Sequence, residues 1–342
     1  MEGAGLAARV AAFLRARRIF VGATPRGCPA LYGRHRGLPL RGHSPAAVWR
    51  LCVAFSGGLD STVLLHCLGG LRAPLGFELT AVHIHHGLQP EADAWVEHCA
   101  AVCADLAVPL TVERVEVVTA DKGIEAAARD ARRKIFAAQP VDAIVLAQHR
   151  DDQAETLLFR LLRGAGTRGL AAMRAVTPSA DGPDLWRPLL DTPRTEIRAY
   201  AEAQGLRWMD DPSNADPVYT RNFLRLTVLP VLAARFPAVN AILARTAEQM
   251  AEDATLLDEL AALDAEGAYD AAGGLSCARL AALTPARARN LLRGWLARFG
   301  VFIDRARLDD LLKQALSAPD AHPDIHLGQQ RLQRRRGFLH WV

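Results

Sequence analysis

From position 48 onward the apolar and polar residues switch repeatedly between strand-like and helix-like spacing. Residues 48–55 form a largely apolar, β-favouring run that stops at Ser56-Gly57-Gly58-Leu59-Asp60-Ser61-Thr62, and Val63 to Leu68 then place apolar residues at helical spacing. The spacing predicts strand, glycine loop, helix. A second apolar run, Ala81 to Ile84, enters a loop at His85-His86-Gly87-Leu88, and a third, Val141 to Ala147, runs into His149-Arg150-Asp151-Asp152-Gln153-Ala154-Glu155-Thr156. Strands alternating with helices predict an α/β fold, a doubly wound parallel sheet whose ligands lie at the carboxyl ends of its strands.

The flanks read differently. Leu6, Val10, Phe13 and Leu14 have helical spacing among arginines, and Pro25, Gly27, Pro29, Gly33, Gly37, Pro39, Gly42 and Pro45 then break any regular element. Residues 1–47 are therefore expected as a basic, poorly ordered extension: a short helix on a loose arm, of transit-peptide, RNA-touching or extended-start type. Prolines between short helical stretches make residues 176–222 a connecting lobe within a catalytic domain over 48–235. Amphipathic spacing, as in Ile242, Met250, Leu256, Leu257 and Leu260, makes 236–342 a mainly helical C-terminal domain with a basic tail.

Composition narrows the classes. In 342 residues, half are hydrophobic and 23% charged, which suits a folded chain rather than a disordered one. With no run of ~18 apolar residues, a soluble, cytoplasmic protein without a membrane partner is expected. Six cysteines lack any CxxC pair, which argues against a zinc ribbon or a disulfide scaffold and fits a reducing compartment. The net charge of +4 divides into +8 over the first 50 residues, nine Arg against Glu2, and −4 over the rest. Arg331, Arg334, Arg335 and Arg336 close the chain as a second cluster. Such patches suit a polyanion, solvated arginines being the alternative.

The loop Ser56 to Thr62 has the composition of an anion nest. Gly57 and Gly58 let backbone approach oxygens closely, amides at the start of the helix point at the ligand, and the hydroxyls of Ser56, Ser61 and Thr62 add donors. Asp60 inside it makes sense if magnesium shares the site. Asp152 and Glu155, at i and i+3, share a helix face and can present two carboxylates to a cation, or simply complement the helix dipole. His83, His85 and His86 alternate across a strand and do not converge as zinc ligands. Cys99 and Cys103, one helical turn apart among Val96, Val102 and Leu106, read as buried thiols.

Ser56 to Ser61 resembles the SGGxDS signature of the PP-loop ATP pyrophosphatases. The order of blocks is then similar to that of the tRNA(Ile)-lysidine synthetase family, matched at Glu125 to Arg129, His149 to Thr156, Arg163 to Leu170, Arg187 to Leu190, Asp211 to Asn214 and Arg221 to Arg225, over roughly residues 48–235. Two departures stand out. Gln89 replaces a common Arg after the histidine-rich strand, and longer members continue into a further C-terminal domain. The resemblance implies that ATP adenylates the carbon-2 carbonyl of the wobble cytidine in a CAU-anticodon isoleucine tRNA, and that free lysine displaces AMP to form lysidine. It implies ATP and Mg2+ as cofactors, with Ser56, Gly57, Gly58, Leu59, Asp60, Ser61, Thr62 and His83 binding the nucleotide and Asp60 the magnesium. Asp60, His149 and Asp152 become catalytic. Arg129, Asp152, Glu155 and Arg221 receive the lysine, with a homodimer left open. The rival readings are a sulfur-inserting tRNA enzyme on the same fold, which the missing CxxC disfavours, and a nucleotide-binding module without catalysis, which the second carboxylate site disfavours.

Overall fold

The computed structural model describes residues 3–22, 48–85, 92–115, 124–179, 182–211, 216, 218–317, 324–327 and 330–342. They fall into two compact units, divided between Ala251 and Glu252. The first contains α1 (Gly3–Gly22), β1 (Trp49–Ala54), α2 (Leu59–Leu75), β2 (Phe77–His85), α3 (Ala92–Asp105), β3 (Leu110–Arg114), α4 (Ile124–Ala138), β4 (Ala143–Val145) and α5 (Arg150–Leu161). After these come α6 (Thr167–Leu170), β5 (Val176–Thr177), β6 (Asp184–Trp186), α7 (Arg194–Ala203), α8 (Thr220–Phe223), a π-helical turn over Leu224–Val228, α9 (Leu229–Arg235) and α10 (Val239–Asp264), within which the division falls.

Six strands form one sheet in the order β3-β2-β1-β4-β6-β5, parallel except at the β5 edge. Side-chain alternation puts the strands into two cores at once. Leu51, Val53, Phe77, Leu79, Ala143 and Val145 pack with α2, α3 and α7, whereas Cys52, Val82 and Ile144 pack with Phe136 of α4. The sheet is thus covered on both faces, as the near-continuous apolar strands require. Because β2 and β4 lie on either side of β1, the chain leaves β1 in one direction and returns to the other side of it later. This opens a crevice at the carboxyl ends of β1 and β4.

The loose arm expected over 1–47 is corrected over its described part. Leu6, Val10 and Leu14, at i, i+4 and i+8, are fully buried and α1 packs on α2 and α7, with Phe13 edge-on to Trp186 at 6.1 Å. Arg9 pairs with Glu196 of α7. An apolar helical stripe costs free energy in water until another element covers it. Residues 23–47 lie outside the described residues.

The second unit adds β7 (Leu275–Ser276), α11 (Cys277–Ala281), α12 (Pro285–Ala297), α13 (Arg305–Ala315), β8 (Asp324–Leu327), β9 (Gln330–Arg335) and β10 (Phe338–Trp341). Its strands make an antiparallel sheet, β7-β10-β9-β8, over a core built around Trp295, Leu291, Leu308 and Leu332. The unit is mainly helical, as expected, and its sheet adds strands four to six residues long apart from the two-residue β7. Several arginines expected to face a polyanion are engaged within the unit. Arg334 is buried and donates to the carbonyls of Ala315 and Ser317 at 3.2 and 2.8 Å, Arg287 pairs with fully buried Asp264, and Arg289 lies 3.4 Å from Asp309. Among the described residues no single helix is long and apolar enough to cross a membrane.

Candidate active site

The loop after β1 is braced from within. Thr62 N, Thr62 Oγ1 and Ser61 Oγ all donate to the Gly58 carbonyl, at 3.0, 2.9 and 3.1 Å, and Ser56 Oγ lies 3.0 Å from Ser61 Oγ. The hydroxyls expected to greet an anion therefore hold the loop's shape, and Leu59 is buried in the core. Gly57 has φ +80°, and a Cβ there would meet Cys99 Sγ at 2.9 Å and the Trp95 ring at 3.0 Å. Only glycine satisfies both the left-handed backbone and that close approach. Gly58 is the N-cap of α2 without a side-chain bond, which leaves the first amides of the helix, and the positive end of its dipole, for a ligand.

His83 sits beneath this loop rather than in an open site. It is buried on β2, and its Nδ1 donates to the carbonyl of Phe55 at 2.9 Å with Cys99 Sγ 3.4 Å away. Burial holds its pKa below the usual histidine value, opposed by that bond. His83 thereby fixes the end of β1. Cys99 and Cys103 are buried thiols, pushed by burial up to about 12 and about 11.

The second half of the site comes from α5. His149 caps it reciprocally with Asp152: the Asp152 amide donates to His149 Nδ1 at 3.4 Å, and the His149 amide donates to Asp152 Oδ2 at 3.1 Å. With Nδ1 accepting, the proton falls on Nε2, which lies 3.5 Å from Asp152 Oδ2 and 3.7 Å from Asp60 Oδ2. His149 thus joins the loop after β1 to the helix after β4 across the crevice. Asp60 is held above the ordinary aspartate pKa by burial, with Asp152 adding to the effect and His149, Arg194 and Arg225 opposing it. Its Oδ1 is buried without a hydrogen-bond partner, 3.7 Å from Arg194 Nε.

Glu155 departs from expectation. It is fully buried, and both its oxygens are taken by Arg225, at 2.6 Å from Nε and 2.9 Å from Nη2, with Asp152 Oδ1 at 3.7 Å from the same guanidinium. Burial pushes Glu155 above the usual glutamate value and the Arg225 bond opposes it. Of the two carboxylates expected to meet an ammonium, Asp152 alone is not committed to a bidentate partner. Arg225 ends the motif that Arg221 begins, but nothing local in the sequence ties it to Glu155, 70 residues away.

Arg221 and Arg129 are brought together one turn along α5. Arg221 lies 5.9 Å from the Phe159 ring, and both Arg221 and Arg129 lower the pKa of half-buried Arg160 after burial itself. Sequence reading also passed over Asp151, which accepts from the Arg194 amide at 2.9 Å and from the Asn240 side chain and so ties the starts of α5, α7 and α10. A cavity of about 260 Å³ opens here, lined by His149, Asp151, Glu155, Arg225, Leu229 and Pro230 among others. Among the described residues no three His, Cys, Asp or Glu side chains converge on a metal. Gln89, His86 and Pro212 to Asn214 lie outside the described residues, as do the side chains of Glu125 to Ala128.

Comparison with known proteins places this geometry. The chain matches the PP-loop domain over residues 42–232 and the TilS substrate binding domain over 275–340. A tRNA(Ile)-lysidine synthase of Azoarcus sp. (strain BH72) is 52% identical over 79% of this chain and 60% of its own length. Those of Pseudomonas fluorescens (strain Pf0-1) and Alkalilimnicola ehrlichii are each 46% identical, over 87% and 93% of this chain and 69% and 71% of theirs. This chain therefore spans about 60–71% of the length of these relatives. In fold, it is similar to the U34-tRNA thiolase NcsA of Methanococcus maripaludis, with a TM-score of 0.50 at 16% identity over 70% of this chain and 79% of that one. With a PP-loop sheet carrying a loop and carboxylate helix across one crevice, and with relatives this similar over most of its residues, the chain belongs to the tRNA(Ile)-lysidine synthase family.

Proposed function

We propose that the chain uses ATP to ligate free lysine to carbon 2 of the wobble cytidine in a CAU-anticodon isoleucine tRNA, in the cytoplasm. ATP use comes with the PP-loop domain. The observation that carries the rest is His149 Nε2 between Asp60 and Asp152, at 3.7 and 3.5 Å, which makes the anion loop and the carboxylate helix one site.

In this reading the glycine loop and first amides of α2 take the pyrophosphate end of ATP. The cytidine carbonyl oxygen attacks the α-phosphorus, its bond forms as the bond to pyrophosphate breaks, and the base becomes a good leaving-group ester. Lysine lies along α5. Its ammonium faces Asp152, which accepts a proton so that the amine can attack carbon 2 and expel AMP. Its carboxylate points along α5 toward Phe159, seven residues or about 10 Å of axis from Asp152, and Arg221 and Arg129 supply positive charge from that end. Glu155 serves as the fixed counter-ion of Arg225 and orients Asp152 through it. The orphaned Asp60 Oδ1 suits a hard cation, so Asp60 would hold magnesium, which neutralises phosphate charge when bound.

Sulfur insertion fits less well, since the thiols at 52, 67, 99 and 103 are buried and pushed up to about 11–12, far from a reactive thiolate. Mass analysis of nucleosides from the CAU-anticodon tRNA, after incubation with ATP, magnesium and lysine, tests the proposal. Lysidine is expected; an unmodified cytidine, or a thiolated base, overturns it. Labelled pyrophosphate should exchange into ATP only when the tRNA is present.

A further inference from the structure

The face of α5 that carries Asp152 and Glu155 continues through Phe159 to Arg163, just past the helix end, and the character of its surroundings reverses along the way. Arg163 and Arg221 stand at Phe159, and Arg129 and Arg132 of α4, Arg160 and Arg187 share their electrostatic neighbourhood. Arg163 and Arg221 lie 5.2 and 5.9 Å from the ring centroid, and Arg160 and Arg132 both feel the charges of Arg129 and Arg221. None of the six pairs with an acid among the described residues. They form two layers. Arg160 donates to the carbonyls of Gly169 and Ala172 at 2.9 and 2.8 Å, and Arg187 donates to the Arg174 carbonyl at 2.8 Å and to Thr177 Oγ1 at 3.0 Å. These two bind the loop between α5 and β6, and burial followed by Arg129 holds Arg187 down to about 10. Arg129, Arg132, Arg163 and Arg221 are exposed above them.

So many like charges repel, and the arrangement is stable in function only with anions present. A lysine carboxylate offers one negative charge, which Arg129 and Arg221 absorb in the reading above. Arg132 and Arg163 are left, exposed, with guanidinium groups whose planar fork suits phosphate oxygens. Arg163 lies about 12 Å along the axis from Glu155, eight residues at 1.5 Å each, so it stands beside the site of chemistry and not in it. We propose that Arg132 and Arg163 grip backbone phosphates of the single-stranded RNA that flanks the modified base. This inference rests on the tRNA reading of the site, and gives Phe159 the task of holding Arg163 in place by cation–π contact.

The test measures tRNA affinity of the full chain between 50 and 300 mM KCl for wild type, R132Q, R163Q, the double variant and R163K. Each lost phosphate contact should flatten the plot of log affinity against log salt by about 0.7, and the double variant by about twice that. R163K should restore the slope, and lysine KM at saturating tRNA should stay at the wild-type value. Thermal melting of each variant should match wild type or rise, since repulsion is relieved. Unchanged slopes in folded, active variants overturn the proposal, as does a rise in lysine KM without loss of tRNA affinity. A wild-type chain that forms no lysidine overturns instead the reading on which the proposal rests.

Discussion

Replacing Asp60 with Asn keeps size and polarity and removes one charge from a group whose burial already disfavours ionisation. The variant should melt at or above the wild-type temperature, yet tRNA-dependent pyrophosphate exchange should fall by about 10²-fold or more. Near-normal exchange would remove Asp60 from the chemistry. Arg225→Gln acts in the opposite sense on stability. It strips a buried carboxylate of its bidentate partner, a loss of about 3 kcal/mol when the carboxylate is ionised. Without Arg225 the folded-state pKa of Glu155 rises further above its unfolded value. Below the unfolded value both states are protonated and the penalty is absent; as pH rises through the folded value it is fully present. The melting difference between R225Q and wild type should therefore be larger at pH 8 than at pH 5, and a difference independent of pH would show that Glu155 is not ionised in the native protein. The loop that carries Asp60 and the helix that carries Asp152 were legible in the sequence because both patterns are local. The pairing of Glu155 with Arg225 was not legible, because the two lie 70 residues apart.

At the scale of elements, α1 shows how far a pattern can be pushed. Its apolar stripe was visible in Leu6, Val10 and Leu14, but the surrounding arginines and the proline-rich stretch after it argued for a loose arm. Burial beside α2 and α7 changes the expected outcome of mutation there. Leu6→Ala and Leu14→Ala should each cost about 2–5 kcal/mol, read as a lowered denaturant midpoint with pyrophosphate exchange retained below the transition. Stability within error of wild type would return α1 to the status of an appendage. The π-helical turn at Leu224–Val228 lay beyond pattern reading altogether, since one extra residue per turn leaves no composition signal, and such turns gather at functional sites. Here it carries Arg225. The short strands β7 to β10 leave only a weak pattern for a related reason: two to six residues are too few to separate period 2 from period 3.6.

For the whole molecule, each unit has its own core, and every residue assigned to the chemistry lies in the first. Leu291→Ala, in the core of the second unit, should therefore raise the KM for tRNA while leaving those for ATP and lysine unchanged, because the matched substrate binding domain lies in that unit. A matching loss in all three would show that the second unit shapes the catalytic site. What the sequence alone determined is whatever a few neighbouring residues decide: the strand, loop and helix at Ser56 to Thr62, the helix that carries Asp152, the alternation of strands and helices that makes a doubly wound sheet. The tertiary structure decided which charges meet. Arg225 closed on Glu155, Arg334 was drawn inside the second unit, Arg287 met its buried Asp264 from the surface, and the arginines around Phe159 were left without an acid. Ionic partners are chosen by proximity in space and by the cost of burying a lone charge, and neither is written in the order of the chain.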